Sequence, residues 1–196
     1  VFNVRLGRWC GNPVDASAWT RPGPLVAAWR LVRELLGLTT STSRYVYLSD
    51  GGHFENLGLY ELVRRRCRFV VACDAGQDQH LTFEDLGNAI RKCYADLGVP
   101  IELNVAPLRP RGEEQRSEWH CAVGAIRYDL RDPDAVPGVL LYLKPSLVGD
   151  EPADVLHYAS TDPTFPHQTT NDQWFDESQF ESYRKLGYHI GKCVLG

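Results

Sequence analysis

Apolar and polar residues along the middle of the chain follow patterns that predict alternating strands and helices. Short apolar runs at 45–48 and 68–74 are typical of strands. The second run has no charge between its ends, which is typical of a buried parallel strand. Apolar positions at helical spacing predict helices over 57–66 and 82–97. A third strand is predicted at 101–105. This order is typical of a right-handed parallel α/β sheet.

The flanking segments complete the prediction. Residues 1–24 are expected to be irregular, and the remaining predicted elements are a helix at 25–36, strands at 120–128 and 139–144, a short helix at 152–159 and a last helix at 173–186. The two late strands are joined by a turn and predict an antiparallel hairpin at the sheet edge. The predicted fold class is therefore α/β, with a mainly parallel sheet, flanking helices and this edge hairpin.

Residue types at the predicted helix starts indicate capping. Asn56 is expected to cap the helix at 57–66, and Thr82 the next helix, with Asp85 reaching back to it. Asn171 or Asp172 is expected to cap the last helix.

Length and composition are those of one globular domain. The chain has 196 residues, 43% of them hydrophobic, and a formal net charge of −4, which argues against nucleic acid as a partner. Its six cysteines form no zinc-ligand spacing and favour a reducing compartment, and no apolar stretch reaches the length of a membrane span. Because the chain begins with Val1 and contains no Met, we expect residues 1–196 to be the C-terminal part of a longer domain.

The main candidate for chemistry is Asp50, which follows a predicted strand and precedes Gly51 and Gly52. Ligands of open α/β sheets bind beyond the carboxyl ends of strands, and two glycines allow a sharp turn and the close approach of a substrate. An Asp-Gly turn without function is the alternative. His53 lies close by, but a turn histidine is more often a surface residue than a catalytic one.

A longer stretch of sequence around Asp50 gives a more specific indication of function. DGGHFENLGLYELVRR at 50–65, followed by CRFVVACD at 67–74, resembles the second catalytic block of bacterial patatin-like phospholipases. The strings GVLLYLKP at 138–145, FPHQTT at 165–170 and DESQFESYR at 176–184 are similar to the same subgroup. The resemblance covers nearly the whole chain.

The resemblance implies a lipid acyl hydrolase with a Ser–Asp dyad, in which Asp50 is the aspartate and Gly51, Gly52 and Asn56 shape the site. No serine of the chain lies in Gly-x-Ser-x-Gly, so the nucleophile and the oxyanion loop are expected upstream, and the chain alone is expected to be inactive. An apolar setting from residues such as Tyr45, Tyr47 and Phe54 would raise the pKa of the base toward the working pH.

The resemblance also implies the partners and the location. The substrate is expected to be a lipid ester, most simply a phospholipid, and the full-length protein is expected to meet a membrane surface. A bacterial cytoplasmic or membrane-associated location follows, with any membrane span confined to the missing N-terminal part. No cofactor and no metal ion is predicted.

Two other functions stay open at this point. The chain could be a non-catalytic module that binds lipid or a partner. It could also be a metal-dependent hydrolase, if carboxylates and histidines near the predicted strand ends come together, although their spacing matches no recognised ligand set. The residues concerned are Asp50, His53, Glu55, Asp74, Asp78 and His80.

Overall fold

The computed structural model describes residues 7–169 and 171–196. The chain divides into two compact units, Val1–Phe54 and Glu55–Gly196. That residues 1–196 belong to one acyl hydrolase domain stays a prediction.

The first unit contains β1 (Gly7–Gly11), α1 (Ala27–Leu35) and β2 (Tyr45–Ser49). β1 and β2 form a two-stranded antiparallel sheet in which Trp9 is opposite Tyr47, with the two rings edge to face. The prediction that the strand at 45–48 starts the parallel sheet is therefore wrong. Its partner is β1, a segment that was expected to be irregular. The strand was missed because two glycines among its five residues hide the alternation of apolar and polar side chains.

Helix α1 forms where the periodicity predicts it, but it buries none of the side chains that the structure describes for it. Trp29 is 60% exposed and Leu35 is 85% exposed, and Leu25 and Leu36 at the two ends are exposed as well. This amphipathic helix thus presents an apolar face to solvent in the chain as described.

The second unit is a mixed sheet with helices on both faces. Its elements are α2 (Leu59–Arg64), β3 (Phe69–Cys73), α3 (Glu84–Leu97), β4 (Ile101–Leu103), β5 (Cys121–Ile126), β6 (Gly138–Leu143), α4 (Ala153–Thr161) and α5 (Glu177–Leu195). The strand order is β3-β6-β5-β4. Only β3 and β6 are parallel neighbours, while β5 pairs antiparallel with both β6 and β4.

Two features of the predicted sheet are corrected by this order. The sheet is mixed and not mainly parallel, and the antiparallel pair β5–β6 lies inside it and not at its edge. The sequence of β6, Gly-Val-Leu-Leu-Tyr-Leu, explains its place, because a strand that is apolar at successive positions is stable only when both of its faces are covered. The α/β class itself is confirmed.

The core lies on both sides of β3 and β6. On one face, Val70 and Tyr142 join a cluster with buried residues of α2 and α3. On the other face, Leu141 and Leu143 pack with Val155 of α4 and with α5. Part of this second face stays uncovered, namely Phe69, Val71, Val123 and Val139. The helices therefore shield only part of an apolar sheet.

The predicted caps differ from the observed ones. Helix α2 begins after Gly58, whose φ of 67° is left-handed, so Asn56 does not cap it. The N-cap position of helix α3 is Phe83, and no side chain caps it, so Thr82 is not the cap. Asp78 instead accepts hydrogen bonds from the backbone N–H groups of Thr82 and Phe83, which fixes the turn that leads into the helix.

The last helix also starts later than predicted and runs further, to Leu195. Asp176, and not Asn171 or Asp172, accepts the hydrogen bond from Gln179 N at 2.7 Å. No helix within residues 7–169 or 171–196 has both the length and the apolar character that crossing a bilayer requires.

Candidate functional site

Asp50 follows β2 directly and caps a single 3₁₀ turn, Gly51–His53. Its Oδ1 accepts a hydrogen bond from Gly52 N at 3.1 Å, and the side chain is exposed. The turn therefore holds the carboxylate in a defined orientation at the end of a strand while leaving it accessible. The sequence predicts a turn at this strand end, but in a parallel sheet, whereas β2 pairs antiparallel with β1.

The two glycines lie inside the 3₁₀ turn, and both are exposed. A Cβ added to Gly51 would meet no atom of residues 7–169 or 171–196 within 4 Å, so no contact with these residues requires a glycine there. The space beside Gly51 is consequently open to a substrate or to another segment of protein.

The apolar setting expected around Asp50 is not formed by the described residues. Tyr45 is buried, but Asp50 itself is exposed, and Phe54 is 49% exposed. If Asp50 acts as a base, further chain or bound lipid has to shield it.

Asn56 belongs to the second unit and has a different role from the predicted cap. Its Nδ2 donates a hydrogen bond to Asp85 Oδ1 at 2.9 Å. Asp85 was expected to complete a capping box with Thr82, but its carboxylate accepts the hydrogen bond from Asn56 instead. The amide thus fixes the chain before α2 to the first turn of α3.

A second polar group lies at the carboxyl ends of the parallel pair β3 and β6. Asp74 follows β3 and Lys144 follows β6, and Lys144 Nζ is 2.9 Å from Asp74 Oδ1. Both are almost fully buried, at 3% and 1% exposure. Tyr142 donates its hydroxyl hydrogen to Asp74 Oδ2, and Lys144 also donates to the Gly76 carbonyl at 3.2 Å. The buried charges are therefore paired and hydrogen-bonded.

The electrostatics of this group follow from its burial. Burial and the hydrogen bond to Asp74 raise the pKa of Tyr142 far above its usual range. Burial opposes ionisation of the nearby Asp78, but its hydrogen bonds from Thr82 and Phe83 outweigh that effect and lower the pKa of the carboxyl. Asp74, Asp78 and Lys144 together line a small cavity of about 70 Å³, to which Asp85 also contributes.

A larger cavity of about 420 Å³ lies in the same unit. It is lined by side chains that include Arg116, Ser117, Phe165 and His167. Burial, with the charge of Lys144 in second place, lowers the pKa of His167 to about 4, so this imidazole is neutral at pH 7. The cavity combines a neutral buried histidine with an apolar wall.

The residues of the metal-dependent alternative have other partners where the structure describes them. Asp74 binds Lys144, Asp78 accepts hydrogen bonds from Thr82 N and Phe83 N, and Glu55 accepts hydrogen bonds from Leu57 N and Tyr60 N. His80 is exposed. These interactions account for the three carboxylates without a metal ion.

Sequence reasoning assigned no role to Lys144 and Tyr142. The signal was present, because a lysine at the end of a strand without other charges must either leave the core or meet an acid. Only the pairing of β3 with β6 shows that the acid is Asp74.

Comparison of the chain with protein-family models, with curated proteins and with solved structures gives no match.

Proposed function

We propose that the chain carries the aspartate of a Ser–Asp acyl hydrolase of the patatin-like kind, and that Asp50 is this aspartate. The observation that carries the proposal is the Asp-Gly-Gly segment at the end of β2, where a turn orients an accessible carboxylate beside open space. The resemblance of the strings at 50–65 and 67–74 to the patatin-like block supports it.

The chemistry needs only one oriented carboxylate from this chain. Asp50 would accept the proton of a serine hydroxyl as the serine oxygen attacks the carbonyl of a lipid ester. It would then return the proton to the leaving alcohol, and later take one from the water that releases the acyl group. The serine and the donors to the oxyanion would come from a segment outside this sequence.

The uncovered apolar surfaces of the chain are consistent with such a segment. Strand β3 is an edge of its sheet, and the neighbouring side chains Phe69, Val71 and Val139 are exposed. Patches of this kind mark places where further protein packs. The proposal assigns this face to further chain of the intact domain.

The test is hydrolysis of a phospholipid and of a short-chain ester by the full-length protein. Asp50→Asn and Asp50→Ala should each lower kcat by about 10²–10⁴, which is the usual contribution of a positioned base. Asp172→Asn is a matched control, because Asp172 is also exposed and accepts a hydrogen bond from the backbone two residues on, at 3.0 Å. Normal turnover in both Asp50 variants would rule the proposal out.

The second candidate function is binding to a lipid surface without catalysis, and the apolar face of α1 favours it. Trp29 and Leu35 are exposed on this helix, and Arg30 and Arg33 supply positive charge for anionic headgroups. The protein would then lie against the membrane surface.

Sedimentation with vesicles of anionic or zwitterionic phospholipid measures this binding. Leu35→Asp should reduce the bound fraction several-fold, whereas Trp174→Ala, which alters an equally exposed residue of the other unit, should not. Binding that survives Leu35→Asp would exclude α1 as the lipid-binding surface. Ester hydrolysis that depends on Asp50 separates the enzyme from the pure binding module.

A further inference from the structure

Three potential metal ligands from distant parts of the sequence meet at one end of the second unit. His120 precedes β5, Asp150 lies in the loop before α4, and His189 lies on α5. Their ligand atoms all lie within 4.8 Å of one another. Asp150 Oδ1 is 3.0 Å from His189 Nε2 and 3.8 Å from His120 Nε2.

His120 provides an independent indication of a ligand. The side chain is 5% exposed, and its Nε2 has no hydrogen-bond partner among the described residues. Its other nitrogen, Nδ1, is 3.0 Å from the Ser146 carbonyl oxygen, which can only accept. Nδ1 therefore carries the hydrogen, and Nε2 points its lone pair toward Asp150 and His189. A buried nitrogen left in this state costs free energy unless a cation or donor occupies the space.

The surroundings favour a cation. Asp150 brings a carboxylate to the two imidazoles, with Oδ1 3.0 Å from His189 Nε2 and 3.8 Å from His120 Nε2. The neighbouring Glu151 is buried and accepts hydrogen bonds from Val148 N and Gly149 N, which holds the Asp150 loop in place.

We propose that His120 Nε2, His189 Nε2 and Asp150 Oδ1 bind a divalent transition-metal ion of the zinc class. Bonds of about 2.0–2.2 Å in a tetrahedral site separate ligand atoms by roughly 3.4 Å, so side-chain adjustments of about 1 Å close the observed group around an ion. The bond from His120 Nδ1 to a backbone carbonyl is the second interaction that metal-bound histidines usually make. Three protein ligands leave the fourth position to water.

A Cys–His–Asp catalytic triad is the rival explanation, because Cys193 Sγ lies 3.7 Å from His189 Nε2. In a triad the thiol and the carboxylate contact different ring nitrogens. Here both contact Nε2, which cannot accept a proton from the thiol while it donates one to Asp150. The geometry therefore favours coordination of a metal ion by His189 and Asp150 over proton transfer from Cys193 to His189.

The test is the zinc content of the chelator-treated 196-residue chain after dialysis against Zn²⁺, with a thermal melt of each sample. The wild-type chain should bind about one ion at this site and melt at a higher temperature with Zn²⁺ than without. His189→Ala and Asp150→Asn should weaken binding by at least about 10–100-fold, the loss that even outer-shell changes cause, and should remove the zinc-dependent shift in melting.

His157→Ala is the matched control, because His157 is an exposed histidine on another helix of the same unit. The cysteines can also bind zinc, so the decisive quantity is the difference between His189→Ala and His157→Ala. Equal zinc affinity in these two variants, or a wild-type chain whose melting does not respond to Zn²⁺, would overturn the proposal. Far-UV circular dichroism of the metal-free variants confirms that each is folded. The result does not depend on hydrolase activity.

Discussion

The buried ion pair between Asp74 and Lys144 should be essential to the stability of the second unit. Lys144→Met removes the cation and leaves the Asp74 carboxylate buried with two donors, the Tyr142 hydroxyl and Gly76 N. Removing one partner of a buried pair usually costs roughly 3–5 kcal/mol, and the two remaining hydrogen bonds place Lys144→Met near the lower figure. Asp74→Asn should cost more, because it leaves the buried ammonium of Lys144 without a negative charge and with neutral acceptors alone, such as the Gly76 carbonyl.

The double variant Asp74→Asn/Lys144→Met separates the pair from its surroundings. It buries no net charge, so its loss of stability should be smaller than the sum of the two single losses by about 2 kcal/mol. Urea unfolding at pH 7, followed by far-UV circular dichroism, measures all three changes. Hydrogen exchange of the β6 amides checks that the effect lies in the second unit.

Arg184→Met is the control for a pair at the surface. Arg184 bonds Glu181 one helical turn away, and both side chains are largely exposed. Water screens this pair, so its removal should change the unfolding free energy far less. The reasoning fails if Lys144→Met costs less than about 1 kcal/mol, or if the single losses add up to the double loss.

Three further predictions concern other positions. The pKa of His167 is lowered to about 4, so on acidification the unfolded chain takes up a proton at this residue at a higher pH than the folded chain does. About 3 kcal/mol of the unfolding free energy present above pH 6.5 should therefore be lost as the pH falls to 4. His167→Gln should reduce this dependence of the unfolding free energy on pH, as measured by urea titrations. Asp78→Ala should cost about 1–2 kcal/mol and Thr82→Ala clearly less, because Asp78 accepts the two backbone hydrogen bonds that fix the turn before α3; equal losses in unfolding experiments would favour the capping predicted from the sequence. Gly138→Ala should cost about 1–3 kcal/mol, because the new Cβ would lie 2.8 Å from a tyrosine ring. Gly87→Ala lies on a helix with open space and should stabilise the chain by about 0.5–1 kcal/mol. The melting temperatures of the two variants should therefore shift in opposite directions.

Local pattern was a sound guide to where elements lie. The strand at 69–73, the helix at 84–97 and the helix at 153–161 all occur within a few residues of their predicted bounds. The turn at Asp50 also follows from its own sequence, since an aspartate before two glycines can bond its backbone two residues on. These features depend on neighbours along the chain.

Helix starts were predicted less well, because several side-chain acceptors compete for the same backbone N–H groups. Thr82 and Asn171 are good capping residues by type, yet the N-cap position of α3 is Phe83, and Asp176 caps α5. Asn56 is engaged by Asp85, a residue 29 positions away. The choice among suitable side chains depends on where the chain turns, which residue type does not reveal.

The sequence by itself determined the alternation of strands and helices, the α/β class and the oriented carboxylate at position 50, because each follows from periodicity or from contacts between near neighbours. Only the tertiary structure decided that β2 pairs with β1, that β6 lies between β3 and β5, and that Asp74 meets Lys144. It alone brings His120, Asp150 and His189 together. Strand pairing and ligand clusters join residues far apart in the chain, and the free energy that selects them comes from packing the whole sheet and its helices, which no local pattern records.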